Sequence, residues 1–335
     1  MIKFATIGTH WITKQFIEAA QQVGWQLTAV YSRQQASAQK FADQFIGPIK
    51  TFTELDEFLA SQDFSVVYLA SPNSLHFEQS QQALLAGKHV IVEKPACSNP
   101  TEMKQIIKIL RQHPELYYFE AARHFHEPLF QQVKQAIKQL SVIQGAHLTY
   151  EKYSSRYDAF LAGQEPNIFS LEFSGGALQD LGVYLVYAAI AWFGYPQSAD
   201  YRPQKLRNGI DGRGIAILEY PRFQVILKFG KTTNSYLASE IYGLKQTLIL
   251  DSPAKLNELK MADEQGNVQS LARTTTENPM LAEVKDFDQL LNKPASLIAK
   301  QKMEDWLALA VQVNQLMYQL RQSAELSFPA DEKYI

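Results

Sequence analysis

Three short segments of this 335-residue sequence carry side chains whose types and spacing suit chemistry. In Ser174-Gly175-Gly176-Ala177-Leu178-Gln179-Asp180-Leu181-Gly182-Val183-Tyr184, a carboxylate and a phenol stand four positions apart where an apolar helical pattern begins. At that spacing both face one way, one turn apart, so an acceptor and a proton-transferring group can share a pocket. In Gly87-Lys88-His89-Val90-Ile91-Val92-Glu93-Lys94-Pro95, a carboxylate and an ammonium leave the end of an apolar run. Ligands of an open parallel sheet bind outside the carboxyl ends of its strands, where Glu93 and Lys94 emerge, and Pro95 holds Lys94 extended. In Gly8-Thr9-His10-Trp11-Ile12-Thr13, a glycine closes the first apolar run just before a helical pattern, the setting in which backbone N–H groups meet a phosphate. A strand-end lysine is most often solvated and an aromatic at helical spacing most often core, as Tyr187 and Trp192 are read, so the weight lies on whole motifs.

The elements that must position these groups follow from periodicity. Up to about residue 120, apolar runs at 2–7, 27–31, 65–70, 89–92 and 116–119 alternate with amphipathic stretches, the mark of strand-helix-strand units in a parallel sheet. Beyond it come a helical pattern at 128–139 and alternating runs at 146–153, 214–220, 223–231, 236–242 and 247–250, joined by short turns as antiparallel strands are. Helical patterns at 180–192, 280–291 and 303–321 complete it. The chain exceeds the roughly 250 to 300 residues that one core serves, so two domains are expected. They are an α/β, doubly wound domain of Rossmann type over 1–120 and an α+β domain over 121–335 with a large, mostly antiparallel open sheet.

The dinucleotide turn is incomplete, since only the first of its usual glycines is present and His10 stands at the third position. His10 either donates to a phosphate at the helix end or acts as a steric plug; the residues leave both readings open. After the second strand, where NAD-specific domains place a carboxylate, the chain reads Tyr31-Ser32-Arg33. A hydroxyl and a guanidinium there suit a 2′-phosphate, so NADP is expected, with NAD the other choice.

The stretch from Ser71-Pro72-Asn73-Ser74-Leu75-His76 to Glu93-Lys94-Pro95 resembles, without gaps, the glucose-fructose oxidoreductase, inositol dehydrogenase and rhizopine-catabolism family, Gfo/Idh/MocA for short. The Gly-Gly segment is similar to that of its glucose-fructose oxidoreductase and dihydrodiol dehydrogenase branch, which has Tyr where the inositol dehydrogenase branch has His. The resemblance implies a cofactor set of Gly8, Thr9, His10, Trp11, Ile12, Ser32, Arg33, Ser71, Asn73, His76, Glu93, Lys94 and Arg123, and a cis bond between Lys94 and Pro95. It implies that Lys94 touches both the nicotinamide ribose and the substrate hydroxyl. It also implies that the second domain binds substrate and that its open sheet face is covered by another subunit, giving a homodimer or larger homo-oligomer.

The function implied is hydride transfer between a nicotinamide and a secondary alcohol or carbonyl of a sugar, cyclic polyol or dihydrodiol. Such a reaction needs a base at the hydroxyl while the hydride leaves carbon. Tyr184 is expected to take the proton, Lys94 to orient and activate it, since an ammonium favours a neighbouring phenolate, and Asp180 to bond the substrate or Lys94. Arg156 and Asn167, among the aromatics Tyr153, Tyr157, Phe160 and Phe169, join Lys94, Asp180 and Tyr184 as expected substrate contacts. The rival reading is a non-catalytic protein that senses NADP or a sugar, motivated by His10 and Thr13; a structural subunit without nucleotide is third.

Composition narrows the classes. Apolar residues at 46% and charged residues at 20% are those of a folded globular chain. A net charge of −2 with dispersed basic residues lacks a nucleic-acid footprint. The most apolar stretch, 183–193, is about half the roughly 20 residues of a membrane span. The chain enters a strand at once, without a cleavable leader, and Cys97 stands alone, so a cytoplasmic location is expected. His124 and His126, spaced for one face of a strand, lack further ligands, and no metal is expected.

Overall fold

The computed structural model describes residues 1–275, 278–293 and 296–333. The chain divides into two compact units, Met1–Ala121 with Met280–Ala308, and Ala122–Pro279 with Leu309–Ile335. The return of Met280–Ala308 to the first unit departs from the expected single boundary. Its physical reason is the apolar face of helix Leu281–Leu291: Phe287 stacks on Phe119 at 4.7 Å, and Asp288 accepts the Trp25 indole N–H at 2.7 Å.

In the first unit, strands β1 (Lys3–Ile7), β2 (Gln26–Tyr31), β3 (Lys50–Phe52), β4 (Val66–Leu69), β5 (His89–Glu93) and β6 (Tyr118–Ala121) form a parallel sheet in the order β3-β2-β1-β4-β5-β6. The order reverses between β1 and β4, where such sheets take their ligands. β4 reads Val-Val-Tyr-Leu and is wholly buried, as a strand covered on both faces must be. The short edge strand β3 has no apolar run to announce it.

The second unit is an eight-stranded sheet of β7 (Gly145–Glu151), β8 (Ser198–Lys205), β9 (Asp211–Glu219), β10 (Gln224–Gly230), β11 (Ser239–Tyr242), β12 (Thr247–Leu250), β13 (Glu258–Ala262) and β14 (Val268–Arg273). Its order is β14-β13-β12-β11-β7-β10-β9-β8, antiparallel except for the parallel pair β7–β10. One face, with Ala146, Leu148, Leu218, Leu227, Phe229 and Leu248, is buried with residues of helices Pro128–Gln139, Val183–Phe193 and Leu297–Ser323. On the other face a row runs Ile217, Ile226, His147, Glu240, Ile249, Lys260, partly open to solvent. β8 and β14, the two edge strands, escape sequence reading because their polar residues do not alternate with apolar ones; Pro203 in β8 is tolerated there because an edge strand spares one N–H.

Candidate active site

The glycine turn retains what a pyrophosphate needs. Gly8 has φ 108°, and a Cβ there would lie 2.6 Å from the Ala70 carbonyl oxygen at the end of β4, so no other residue fits. Helix Trp11–Gln22 starts with no side chain capping its N–H groups, and the His10 and Trp11 side chains are turned to solvent rather than plugging the turn. Thr13 is fully buried with an Oγ1 that finds no hydrogen-bond partner. At the end of β2, Ser32 is partly exposed and Arg33 exposed, and Asn73 begins a turn of 3-10 helix, Asn73–Leu75, after β4. This edge fits a dinucleotide phosphate: open helix-end amides, a turn only glycine can make, and an exposed guanidinium at the end of β2.

Lys94 sits on a braced tip. The Lys94–Pro95 bond is cis, and Lys94 itself is half-buried. The Pro95 carbonyl lies 2.9 Å from His76 Nδ1, and His76 Nε2 lies 2.8 Å from the Ser71 carbonyl. Both partners are acceptors, so a neutral ring donates to only one of them. Burial holds the His76 pKa below its ordinary 6.5 against the pull of the two carbonyls, and the Lys94 charge lowers it further. His76 was expected among the cofactor contacts; its polar atoms are instead spent inside the protein, tying the end of β4 to the end of β5. Ser71 likewise gives its hydroxyl to Gln79, at 2.7 Å. Glu93 accepts the Tyr68 hydroxyl at 2.6 Å, and Glu120 accepts the Ala96 N–H at 2.8 Å. The Lys88 of the same motif is structural, buried and donating to the Ser61 and Phe64 carbonyls at 2.6 and 3.2 Å. Cys97 is buried, and burial pushes its thiol pKa well up, away from a reactive thiolate.

In the second unit, Leu178–Gly182 is a π-helical turn that leads into helix Val183–Phe193, so Asp180 and Tyr184 lie on a wider spiral than the expected α-helix. Such turns recur at functional sites because they re-aim side chains. Tyr184 is buried in a ring cage, with His124 at 4.8 Å and Tyr150 at 5.7 Å between centroids, and the Arg123 guanidinium 5.9 Å from its ring centre. His124 donates Nε2–H to the Tyr184 carbonyl at 3.2 Å. Arg123–His126 is a helical turn rather than the expected strand, which buries His124 against the phenol's ring.

Asp180 has a cation partner that sequence spacing does not reveal: Lys231, at 2.9 Å. Asp211 is a second hidden member. It is buried, accepts the Leu178 N–H at 2.7 Å and the Tyr201 hydroxyl at 2.8 Å, and its pKa is raised to about 6 by burial, which those bonds and Lys231 oppose. Among the residues expected at the substrate, Arg156 and Asn167 are exposed, and Tyr153 donates its hydroxyl to Asp158 at 2.6 Å. Among the described residues no group of three or more His, Cys, Asp or Glu could hold a metal ion, and no helix is long and apolar enough to cross a membrane.

The Gfo/Idh/MocA family model, described as an oxidoreductase family with an NAD-binding Rossmann fold, matches residues 2–121. An uncharacterised oxidoreductase of Escherichia coli, YgjR, is 36% identical over 334 residues, 99% of each chain. The chain belongs to the Gfo/Idh/MocA family. Within that family it is also 34% identical over 333 residues to scyllo-inositol 2-dehydrogenase (NADP(+)) IolU of Bacillus subtilis, spanning 99% of this chain and 100% of the relative. Its fold matches that of a 3-ketoreductase from Actinomadura kijaniata solved with TDP-benzene and NADP, with a TM-score of 0.81 at 20% identity over 96% and 97% of the two chains. The expected two-part architecture of a Gfo/Idh/MocA oxidoreductase, a parallel six-stranded sheet and a mostly antiparallel eight-stranded one, is therefore met.

Proposed function

We propose that this Gfo/Idh/MocA protein is an NADP-dependent dehydrogenase or reductase that moves a hydride between nicotinamide and a CH–OH carbon of a cyclic polyol or sugar. The observation that carries the reading is the alignment of Gly8, Arg33, Asn73 and Lys94 at the carboxyl ends of β1, β2, β4 and β5, along one edge of the parallel sheet. The end-to-end likeness to an NADP(+)-dependent scyllo-inositol dehydrogenase favours a cyclic polyol.

In this reading the turn Gly8–Ile12 and the N–H groups of helix Trp11–Gln22 hold the pyrophosphate, and Ser32 and Arg33 hold the 2′-phosphate. Asn73 and Glu93 complete the cofactor's seat, with Arg123 beside the nicotinamide end. The bound dinucleotide supplies the hydride acceptor or donor. Tyr184 takes or returns the hydroxyl proton at its phenolic oxygen, the Lys94 ammonium orients that hydroxyl, and Asp180 accepts a neighbouring hydroxyl of the substrate. The His124 and Tyr150 rings pack against the Tyr184 ring and fix its orientation. A cytoplasmic homodimer, joined through the open row of the eight-stranded sheet where Ile226 is 38% exposed, completes the proposal.

The test is steady-state turnover of scyllo-inositol and a panel of aldoses with NADP and NAD. Lys94→Met and Tyr184→Phe should each lower kcat by about 10²- to 10⁴-fold, the range expected when a proton-transfer group is lost. Wild-type turnover in either variant would sink the assignment. Arg33→Met should weaken NADPH by about tenfold and leave NADH unchanged, since it removes a charge-assisted contact to a phosphate only NADPH carries.

A further inference from the structure

The Gly175-Gly176 pair leads to a lysine that no motif marks. A Cβ on Gly175 would lie 2.8 Å from the Asn167 carbonyl oxygen and 2.9 Å from that of Ile168. Gly176, at φ 107°, would drive a Cβ into Asp211 Oδ1. Glycine is thus required at both positions so that the turn can close on the Ile168 backbone and on Asp211. Both of these face Lys231. Its ammonium donates to the Ile168 carbonyl at 2.8 Å, lies 4.5 Å from the centre of the Phe169 ring, and acts on the Asp211 carboxylate, itself held by Tyr201.

Lys231 is 1% exposed, whereas the Asp180 side chain it meets at 2.9 Å is 31% exposed. An ammonium is removed from water at considerable cost unless every donor is used, so a buried one aimed at a carboxylate at the protein surface is not a stability device by default. We propose that Lys231 is a positioning residue that acts through Asp180, fixing its carboxylate so that it accepts a hydrogen bond from a hydroxyl of the polyol. This rests on the reading of Asp180 as a substrate contact.

The experiment is kinetics of the NADP-loaded enzyme on scyllo-inositol and the aldose panel, with wild type, Lys231→Met, Asp180→Asn and the double variant, alongside NADPH affinity by fluorescence. Lys231→Met should raise KM for the polyol by tenfold or more while leaving kcat and NADPH affinity unchanged. In the Asp180→Asn background, Lys231→Met should add nothing, because the group it acts through is gone. That double variant replaces the ion pair with neutral groups and keeps the test open should Lys231→Met alone fail to fold. Additive losses in kcat/KM, or a Lys231→Met enzyme with unmoved KM, would overturn the inference while the reaction assignment stands. Absence of turnover in the wild type on the whole panel would overturn the assignment itself, and the inference with it.

Discussion

The supports of Lys94 come from nearby in the chain, whereas those of Asp180 and Tyr184 come from farther along it. His76 reaches Pro95 across 19 positions and Tyr68 reaches Glu93 across 25. By contrast, Leu178 reaches Asp211 across 33, Tyr184 reaches His124 across 60, and Lys231 reaches Ile168 across 63. A residue seated by its own strand-helix-strand unit leaves a compact motif in the sequence, and one seated by distant side chains does not. The glycines that open the two motifs should also break differently, Gly8 against backbone and Gly176 against a side chain.

The largest effects are expected at the two glycines that sharpen this contrast. Gly8→Ala and Gly176→Ala each combine a positive φ with a collision, so each should destabilise by about 3 to 5 kcal/mol, measured as a fall in denaturant midpoint. The obstacle differs. At Gly8 it is the Ala70 carbonyl, part of the sheet, whereas at Gly176 it is the Asp211 side chain. Adding Asp211→Ala should therefore recover part of the Gly176→Ala loss, and no single side-chain truncation should recover Gly8→Ala. Equal behaviour of the two would erase the distinction.

Next in size is His76. His76→Leu removes the one N–H that the neutral ring donates to the Pro95 or Ser71 carbonyl, a loss of about 1 to 3 kcal/mol for a buried acceptor left unpaired. His76→Gln, which keeps a donor, should lose less. If the brace positions Lys94, kcat of folded His76→Gln falls while NADPH affinity holds. An unchanged kcat would leave His76 a purely structural tie.

Much of the site was legible for the reason just given. The Glu93-Lys94-Pro95 tip, Gly8, Ser32-Arg33 and the Asp180–Tyr184 spacing are local patterns, and parallel strands buried on both faces announce themselves as apolar runs. Lys231 and Asp211 were not legible because a lone lysine after a strand and a lone aspartate opening one look solvated until the sheet order brings them to the Gly-Gly turn. The π-helical turn escaped because periodicity of apolar residues continues through it. The first unit's reclaiming of Met280–Ala308 could not be read either, since an amphipathic helix does not say which sheet it will cover.

The smallest effect, and the one that tests the charged character of the Tyr184 side most directly, concerns Glu127. This buried carboxyl follows the turn that carries Arg123 and His124. Burial raises its pKa from 4.5 to about 7, opposed by the Arg123 charge, the Leu256 N–H and Lys255, and reinforced by Asp251. A raised carboxyl pKa means the folded protein holds a proton that the unfolded chain releases. Its contribution to stability is therefore fully present below pH 4.5 and is lost as pH rises through about 7, amounting to roughly 2 to 3 kcal/mol across that window. His76 has the opposite sign: its pKa is depressed below 6.5, so its contribution is present above pH 6.5 and is lost as pH falls below it. Glu127→Gln, which cannot ionise, should flatten the decline of unfolding free energy between about pH 4.5 and 7 and make the variant the more stable protein at pH 8. The acid-side decline governed by His76 should persist in it. If Glu127→Gln leaves that decline untouched, the folded protein does not hold the Glu127 proton across the window.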